Sequence, residues 1–329
     1  MAKNWWVGVP VLITGGLGMI GSTIAKKLVE LGAQVTVLDA MLPLYGGNLF
    51  NLHPYSDKIN ICVADIRDEA AVNFLVRDKE VIFNLAAQVS YTDSVTDPLL
   101  DLDINCRGHL TLLESCRNQE LKPRVVFSSS RMVYGRTLKC TVDENHRTDP
   151  LMPYAVHKLA GEKYHFMYYQ NNGIPCVIAR IANPYGPGQQ MKHSKYGIVN
   201  WFIKMAMENQ TIKIFGAGNQ KRDYVFVSDI ADALISLATA QNIEGKIFNV
   251  GSGEGVAFKE MAKTVVETVG RGQIEFVPWP SNYENIETGD YVSDITKISS
   301  YSEWVPKVAL GEGVQMTYEF YKENKMHYW

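Results

Sequence analysis

A hydroxyl at Ser130, a phenol at Tyr154 and an ammonium at Lys158 follow one another along the chain. Together they suit proton transfer coupled to oxidation of an alcohol. Tyr154 and Lys158 are four residues apart, and on a helix such positions share a face, so the ammonium can favour the ionised phenol. A phenol with a depressed pKa is a usable base near neutral pH. With 17 tyrosines in the chain, however, the spacing alone proves little. The N-terminal segment Thr14-Gly15-Gly16-Leu17-Gly18-Met19-Ile20-Gly21 supplies a place for an oxidant. Gly15, Gly18 and Gly21 are three apart between a predicted strand and an amphipathic helix opened by Met19 and Ile20. That arrangement lets backbone N–H groups and the positive helix end approach a diphosphate, while the last glycine lets helix and strand pack closely. The second predicted strand ends at Asp39, whose carboxylate can accept hydrogen bonds from a ribose diol and would repel a 2′-phosphate. No basic residue follows in Ala40-Met41-Leu42-Pro43-Leu44. NAD, not NADP, is the expected cofactor.

These groups need a scaffold that brings distant segments together. From Val9 to about Ile181, short apolar runs alternate with helical patterns, the mark of a parallel sheet with crossover helices. Strands are expected at Val11–Ile13, Val35–Leu38, Ile59–Val63, Val81–Leu85, Val125–Phe127 and Cys176–Ala179. Ile20, Ile24, Leu28 and Leu31 recur at helical spacing until Gly32 ends the helix. Asp97-Pro98 announces another helix running towards Cys116. Beyond Ile181 the alternation stops, and 183–226 is rich in glycine, aromatic residues and amides, as suits a substrate lobe. A helix over Asp229–Ala240 and a strand around Lys246–Val250 then return to the first pattern. The expected fold class is therefore α/β, a Rossmann-type doubly wound sheet with a smaller, sequence-interleaved C-terminal lobe. The cofactor domain is assigned to 1–181 plus about 227–250, and the lobe to about 182–226 and 251–329.

Composition narrows the function. The 329 residues are 46% hydrophobic and 20% charged with a formal net charge of -3, which offers no basic footprint for nucleic acid or an anionic membrane surface. No apolar run approaches a membrane span and the N-terminus has no leader pattern, so a cytoplasmic protein is expected. The five cysteines lack metal or disulfide spacing, and no metal site is expected.

Several motifs in order make the chain resemble the extended short-chain dehydrogenase/reductase family, in its nucleotide-sugar epimerase/dehydratase branch. The resemblance implies that Gly15, Gly18 and Gly21 form the cofactor loop, that Asp65-Ile66 lies beside the adenine, and that Leu85-Ala86-Ala87 runs along the cofactor with Asn105 on the following helix. It implies a cofactor contact for Ser128, and a passage from cofactor site to sugar site through Arg180-Ile181-Ala182-Asn183-Pro184-Tyr185-Gly186-Pro187-Gly188, with Ile181 on one side and Asn183 on the other. Arg222-Asp223-Tyr224-Val225 resembles a segment whose arginine meets the sugar-nucleotide diphosphate. Tyr154 is then the base, Lys158 steadies the phenolate and contacts the nicotinamide ribose, and Ser130 hydrogen-bonds the reacting oxygen.

Within the branch, 4,6-dehydratases carry Thr-Asp-Glu where this chain has Ser130-Arg131-Met132. The missing acid argues for epimerisation, which needs only removal of hydride and its return to the other face. The expected activity is an NAD-dependent nucleotide-sugar 4-epimerase, an isomerase acting on a UDP-hexose or UDP-uronic acid with tightly held NAD. A CDP-sugar 2-epimerase is the alternative, which Gln88-Val89-Ser90 also resembles, and a nucleotide-sugar oxidoreductase or dehydratase with net chemistry is a third. Gln88, Ser90, Ser130, Arg131, Asn183, Arg222 and Asp290 are the expected substrate residues. Arg131 is unusual at its position and suits an anionic sugar substituent. Glu287-Thr288-Gly289-Asp290 departs from the family's Arg-x-Gly-Asp, where the arginine makes a second diphosphate contact. Family members are usually dimers built through a helix bundle, so a homodimer is expected.

Overall fold

The computed structural model describes residues 5–280 and 287–329. Its centre is a seven-stranded sheet made of β1 (Pro10–Thr14), β2 (Gln34–Asp39), β3 (Asn60–Val63), β4 (Val81–Asn84), β5 (Arg124–Ser130), β6 (Cys176–Ile181) and β7 (Ile247–Val250). The spatial order is β3-β2-β1-β4-β5-β6-β7, and every pairing is parallel. Strand order reverses between β1 and β4, and a crevice opens at the carboxyl ends of strands beside such a switch. β4 and β6 are buried along their whole length, as strands covered on both faces must be.

Alternation along each strand decides which layer a residue joins. Val11 and Ile13 pack with Ile24 and Leu28 of the helix Met19–Glu30 and with Leu234 of the helix Val227–Thr239. Leu12, Ile82 and Val125 point the other way, onto Val72, Leu112 and Leu113. All six strands expected before residue 182 form, and the return to the sheet after residue 226 forms as the helix Val227–Thr239 and β7. One expectation needs correction: the helix announced by Asp97-Pro98 is not uniform. Asp97 caps it by accepting from the Leu100 N–H at 3.1 Å, but Pro98–Leu102 passes through a π-helical turn, Asp103–Arg107, before Gly108–Arg117 resumes the α-helix. The wider turn carries Asn105, and such turns are frequent at functional sites.

A separate apolar cluster lies outside the sheet. Phe202, Ile203, Tyr224, Phe226, Met261, Val265 and Val314 join the helices Ile198–Met207, Phe258–Val269 and Leu310–Asn324 to the parallel pair Thr211–Phe215 and Gln273–Val277. Among the described residues no helix is long and apolar enough to cross a membrane, and no group of His, Cys, Asp and Glu is arranged to hold a metal ion.

Candidate active site

The turn after β1 is shaped by what cannot fit. Gly15 has φ +68°, and a Cβ there would sit 3.0 Å from the backbone of Ala86; a Cβ on Gly21 would lie 2.3 Å from the Gly15 carbonyl oxygen. The loop therefore presses against the end of β4 and leaves its outer side to one long cleft. Gly15, Gly18, Met19, Ile20, Gly21, Asp39, Asp65, Ile66, Leu85, Ala86, Ala87, Ser128 and Ile181 line that cleft, and Ser130, Arg131, Tyr154, Lys158 and Asn183 continue it. Asp39 braces the loop: Oδ2 accepts from the Leu17 N–H at 3.0 Å and Oδ1 from the Met41 N–H at 2.8 Å. Burial raises its pKa and these two bonds oppose the rise. At Asp65 the balance is reversed, because the Arg67 guanidinium beside it holds the carboxyl below its usual range. A glycine cradle at a helix N-terminus, with a carboxylate at the next strand end, fits an NAD diphosphate and adenosine ribose.

The three groups expected to react come from β5 and from the helix Pro153–Asn172. Proline opens that helix, and the Tyr154 N–H is received by the Ser94 hydroxyl at 3.1 Å. Ser130 ends β5, and its hydroxyl accepts from the Met132 N–H at 3.2 Å, capping the short helical turn Arg131–Tyr134. Tyr154 departs from the expectation of a depressed pKa. Burial pushes its phenol up to about 12, the Ser130 hydroxyl pulls it down and the Asp101 carboxylate adds to the rise. The reason is where Lys158 points: its Nζ donates to the Ser128 carbonyl at 2.9 Å and lies 6.0 Å from the centre of the Tyr154 ring. Burial in turn brings Lys158 down to about 8, against the pull of Asp101, Cys106 and Glu162. Asp101, itself wholly buried, is bonded to His157 on the same helix as Tyr154.

Two buried networks hold this geometry. Ser129 and Arg180 both donate to Glu162, Ser129 Oγ at 2.5 Å and the guanidinium at 2.8 and 2.7 Å, which ties β5 and β6 to the Tyr154 helix. Beneath the cleft, the Asn84 amide nitrogen lies 3.1 Å from His109 Nδ1 and 3.1 Å from His165 Nε2. The Asn84 carbonyl oxygen accepts from the Thr14 hydroxyl at 3.0 Å, which itself accepts from the N–H groups of Leu85 and Ala86 at 3.0 and 3.1 Å.

Five expected site residues do not line the cleft. Asn105 clamps the Gln88 backbone from both sides, accepting from its N–H at 3.1 Å and donating to its carbonyl at 3.0 Å. It thus sets the course of the Leu85–Ala87 segment from behind. The Gln88 side chain folds back onto the Ser90 backbone, and the Ser90 hydroxyl caps the helix Tyr91–Thr96. Arg222 forms an ion pair with Glu287 and donates to the Gly289 carbonyl at 2.7 Å, while Asp290 accepts from the Lys221 N–H at 2.8 Å. Conversely Tyr45, Tyr91, Gln189, Gln190 and Tyr196 line the cleft without having been singled out. The amide pair directly after Gly186-Pro187-Gly188 was the available signal.

A profile of the NAD dependent epimerase/dehydratase family matches residues 11–251. The chain belongs to that family. A putative UDP-glucose 4-epimerase of Methanocaldococcus jannaschii is 36% identical over 95% of this chain and 99% of its own length. The UDP-glucose 4-epimerase of Mycolicibacterium smegmatis is 36% identical over 95% and 98%. Among solved structures, the Thermus thermophilus UDP-glucose 4-epimerase in complex with NAD superposes with a TM-score of 0.85 at 32% identity, covering 95% of this chain and 99% of the other. This member of the epimerase/dehydratase family is an NAD-dependent isomerase.

Proposed function

We propose that the protein is a UDP-sugar 4-epimerase that works as a cytoplasmic homodimer with NAD held through the catalytic cycle. The observation that carries this reading is the distribution of acid in the cleft. Among the described lining residues the carboxylates are Asp39 and Asp65, both at the cofactor end. Beside Ser130 stand Arg131 and Met132, so among the described lining residues no side-chain acid is at hand to protonate a leaving hydroxyl. Reversible oxidation at one carbon is the chemistry left to Ser130, Tyr154 and Lys158.

Bound NAD supplies a cationic hydride acceptor. The positive charge of that group beside Tyr154 would favour the ionised phenol, which is otherwise protonated near neutral pH, and the phenolate would take the proton of the sugar hydroxyl and later return it. Ser130 holds the reacting oxygen as it changes from hydroxyl to carbonyl, and Lys158 contributes positive potential behind the phenol. The lobe of about 182–226 and 251–329 is assigned to the nucleotide half of the substrate, with Asn183 at the junction. The dimer reading rests on apolar side chains left bare on neighbouring helices, Val95, Leu99 and Leu102 beside Val156. The cytoplasmic reading rests on five free cysteines.

Purified protein incubated with UDP-glucose and with UDP-glucuronate, without added cofactor, is expected to invert C4 as followed by NMR. Inversion at C2, or accumulation of NADH in proportion to product, would sink the proposal.

A further inference from the structure

Arg131 is a buried cation that pairs with no carboxylate among the described residues. It is 8% exposed, yet it lines the cleft one residue beyond Ser130. Its Nε donates to Asn183 Oδ1 at 2.8 Å, its Nη1 donates to Thr288 Oγ1 at 3.0 Å, and its guanidinium lies 5.4 Å from the centre of the Tyr291 ring. All these partners are neutral, and among the described residues Nη2 donates to no protein acceptor. Glu287, an acid that acts on it, is paired with Arg222, whose own charge pushes against Arg131. Two guanidiniums and one carboxylate leave an excess positive charge in a dry wall of the site. Burying a charge without a partner is costly, and such an arrangement persists where a ligand completes it.

Resting on the epimerase reading, we infer that Arg131 selects the substrate: it receives the carboxylate of a uronic acid sugar nucleotide beside the carbon oxidised at Ser130 and Tyr154. Guanidinium is the side chain suited to that group, because its planar fork offers parallel donors to a carboxylate. Asn183 and Thr288 fix the plane of the fork by taking Nε and Nη1, and leave Nη2 as the remaining donor of a side chain that lines the cleft. A hexose with a neutral hydroxymethyl group would leave the charge uncompensated. The diphosphate is the other anion of the substrate, and UDP alone tells the two apart.

The test is binding to NAD-loaded protein by calorimetry, with UDP-glucuronate, UDP-glucose and UDP as probes. Wild-type protein is expected to prefer UDP-glucuronate over UDP-glucose by about tenfold or more, as a charge-assisted bond implies. Arg131→Gln is expected to abolish that ratio while UDP still binds, which also shows that the variant is folded, and Arg131→Lys is expected to restore part of it. Equal wild-type affinity for the two sugars overturns the inference. So does a fall in UDP affinity in Arg131→Gln that matches the fall for UDP-glucuronate, since the guanidinium would then serve the diphosphate. Because these readouts are affinities, a preference for UDP-glucuronate without inversion at C4 would refute the epimerase reading and leave the role of Arg131 standing.

Discussion

At the level of single residues, the phenol of Tyr154 and the ammonium of Lys158 are set against their charges by the same cause. Burial lifts the first to about 12 and lowers the second to about 8, so near neutral pH the empty site holds a protonated phenol and a charged amine at the edge of its range. Tyr154→Phe removes the proposed proton acceptor without changing the shape of the wall. Its turnover should fall by about 10²–10⁴ with NAD still bound, read from C4 inversion by NMR and cofactor content by absorbance. Lys158 makes a prediction about stability. Its folded pKa lies below the unfolded value near 10.5, so the unfolded chain binds the extra proton between the two values, and stability rises with pH from about 8 to 10.5. Compared with Lys158→Met, the cofactor-free wild type should gain on the order of 3 kcal/mol across that window in urea unfolding. A constant difference between the two proteins would show that the amine is not desolvated.

Elements decide whether those residues meet, and here the sequence was legible to different depths. The strands could be read because their apolar runs are continuous and bounded by turn residues. Gly15, Gly18 and Gly21 could be read because backbone contact leaves no room for a side chain. The break in the helix after Leu102 could not, since a π-turn changes hydrogen-bond register without changing residue type. Gln88 and Ser90 point away from the cleft because a cap and a backbone clamp by Asn105 fix their direction, and neither is a matter of local spacing. Arg222 is tied to Glu287 by a contact that spans 65 residues. The Glu162–Arg180 pair was equally hidden, although it locks β5 and β6 onto the Tyr154 helix. With both side chains no more than 3% exposed, Glu162→Gln leaves a buried guanidinium without its anion. A loss of about 3 kcal/mol or more is expected in urea unfolding, with turnover lowered as Ser129 loses its acceptor.

For the whole molecule, the open question is what covers the bare apolar side chains. Leu99 is 76% exposed on a short helix packed against the helix that bears Tyr154 and Lys158, and Val95, Leu102 and Val156 lie on the same two-layer surface. Burying that surface against a second copy would brace the catalytic helix from behind. Leu99→Asp is expected to halve the mass measured by light scattering and to reduce turnover along with it. A monomeric wild-type protein would contradict the homodimer.

The asparagine between two histidines carries a directional consequence. An amide has two N–H groups, and Asn84 aims one at each ring, so both facing nitrogens must carry lone pairs. His165 then bears its proton on Nδ1, 2.7 Å from the Gly161 carbonyl, and His109 bears its own on Nε2. The rings are opposite tautomers of neutral imidazole, and burial lowers both pKa values, that of His165 to about 4. Between the unfolded value near 6.5 and that limit, acid favours the unfolded chain, so stability present above pH 6.5 drains away as pH falls. Protonating either ring would turn the Asn84 amide and pull the Thr14 hydroxyl from the Leu85–Ala86 backbone. Acid would thus loosen the floor of the cleft at a pH far below that at which the Tyr154 phenol of the empty site ionises.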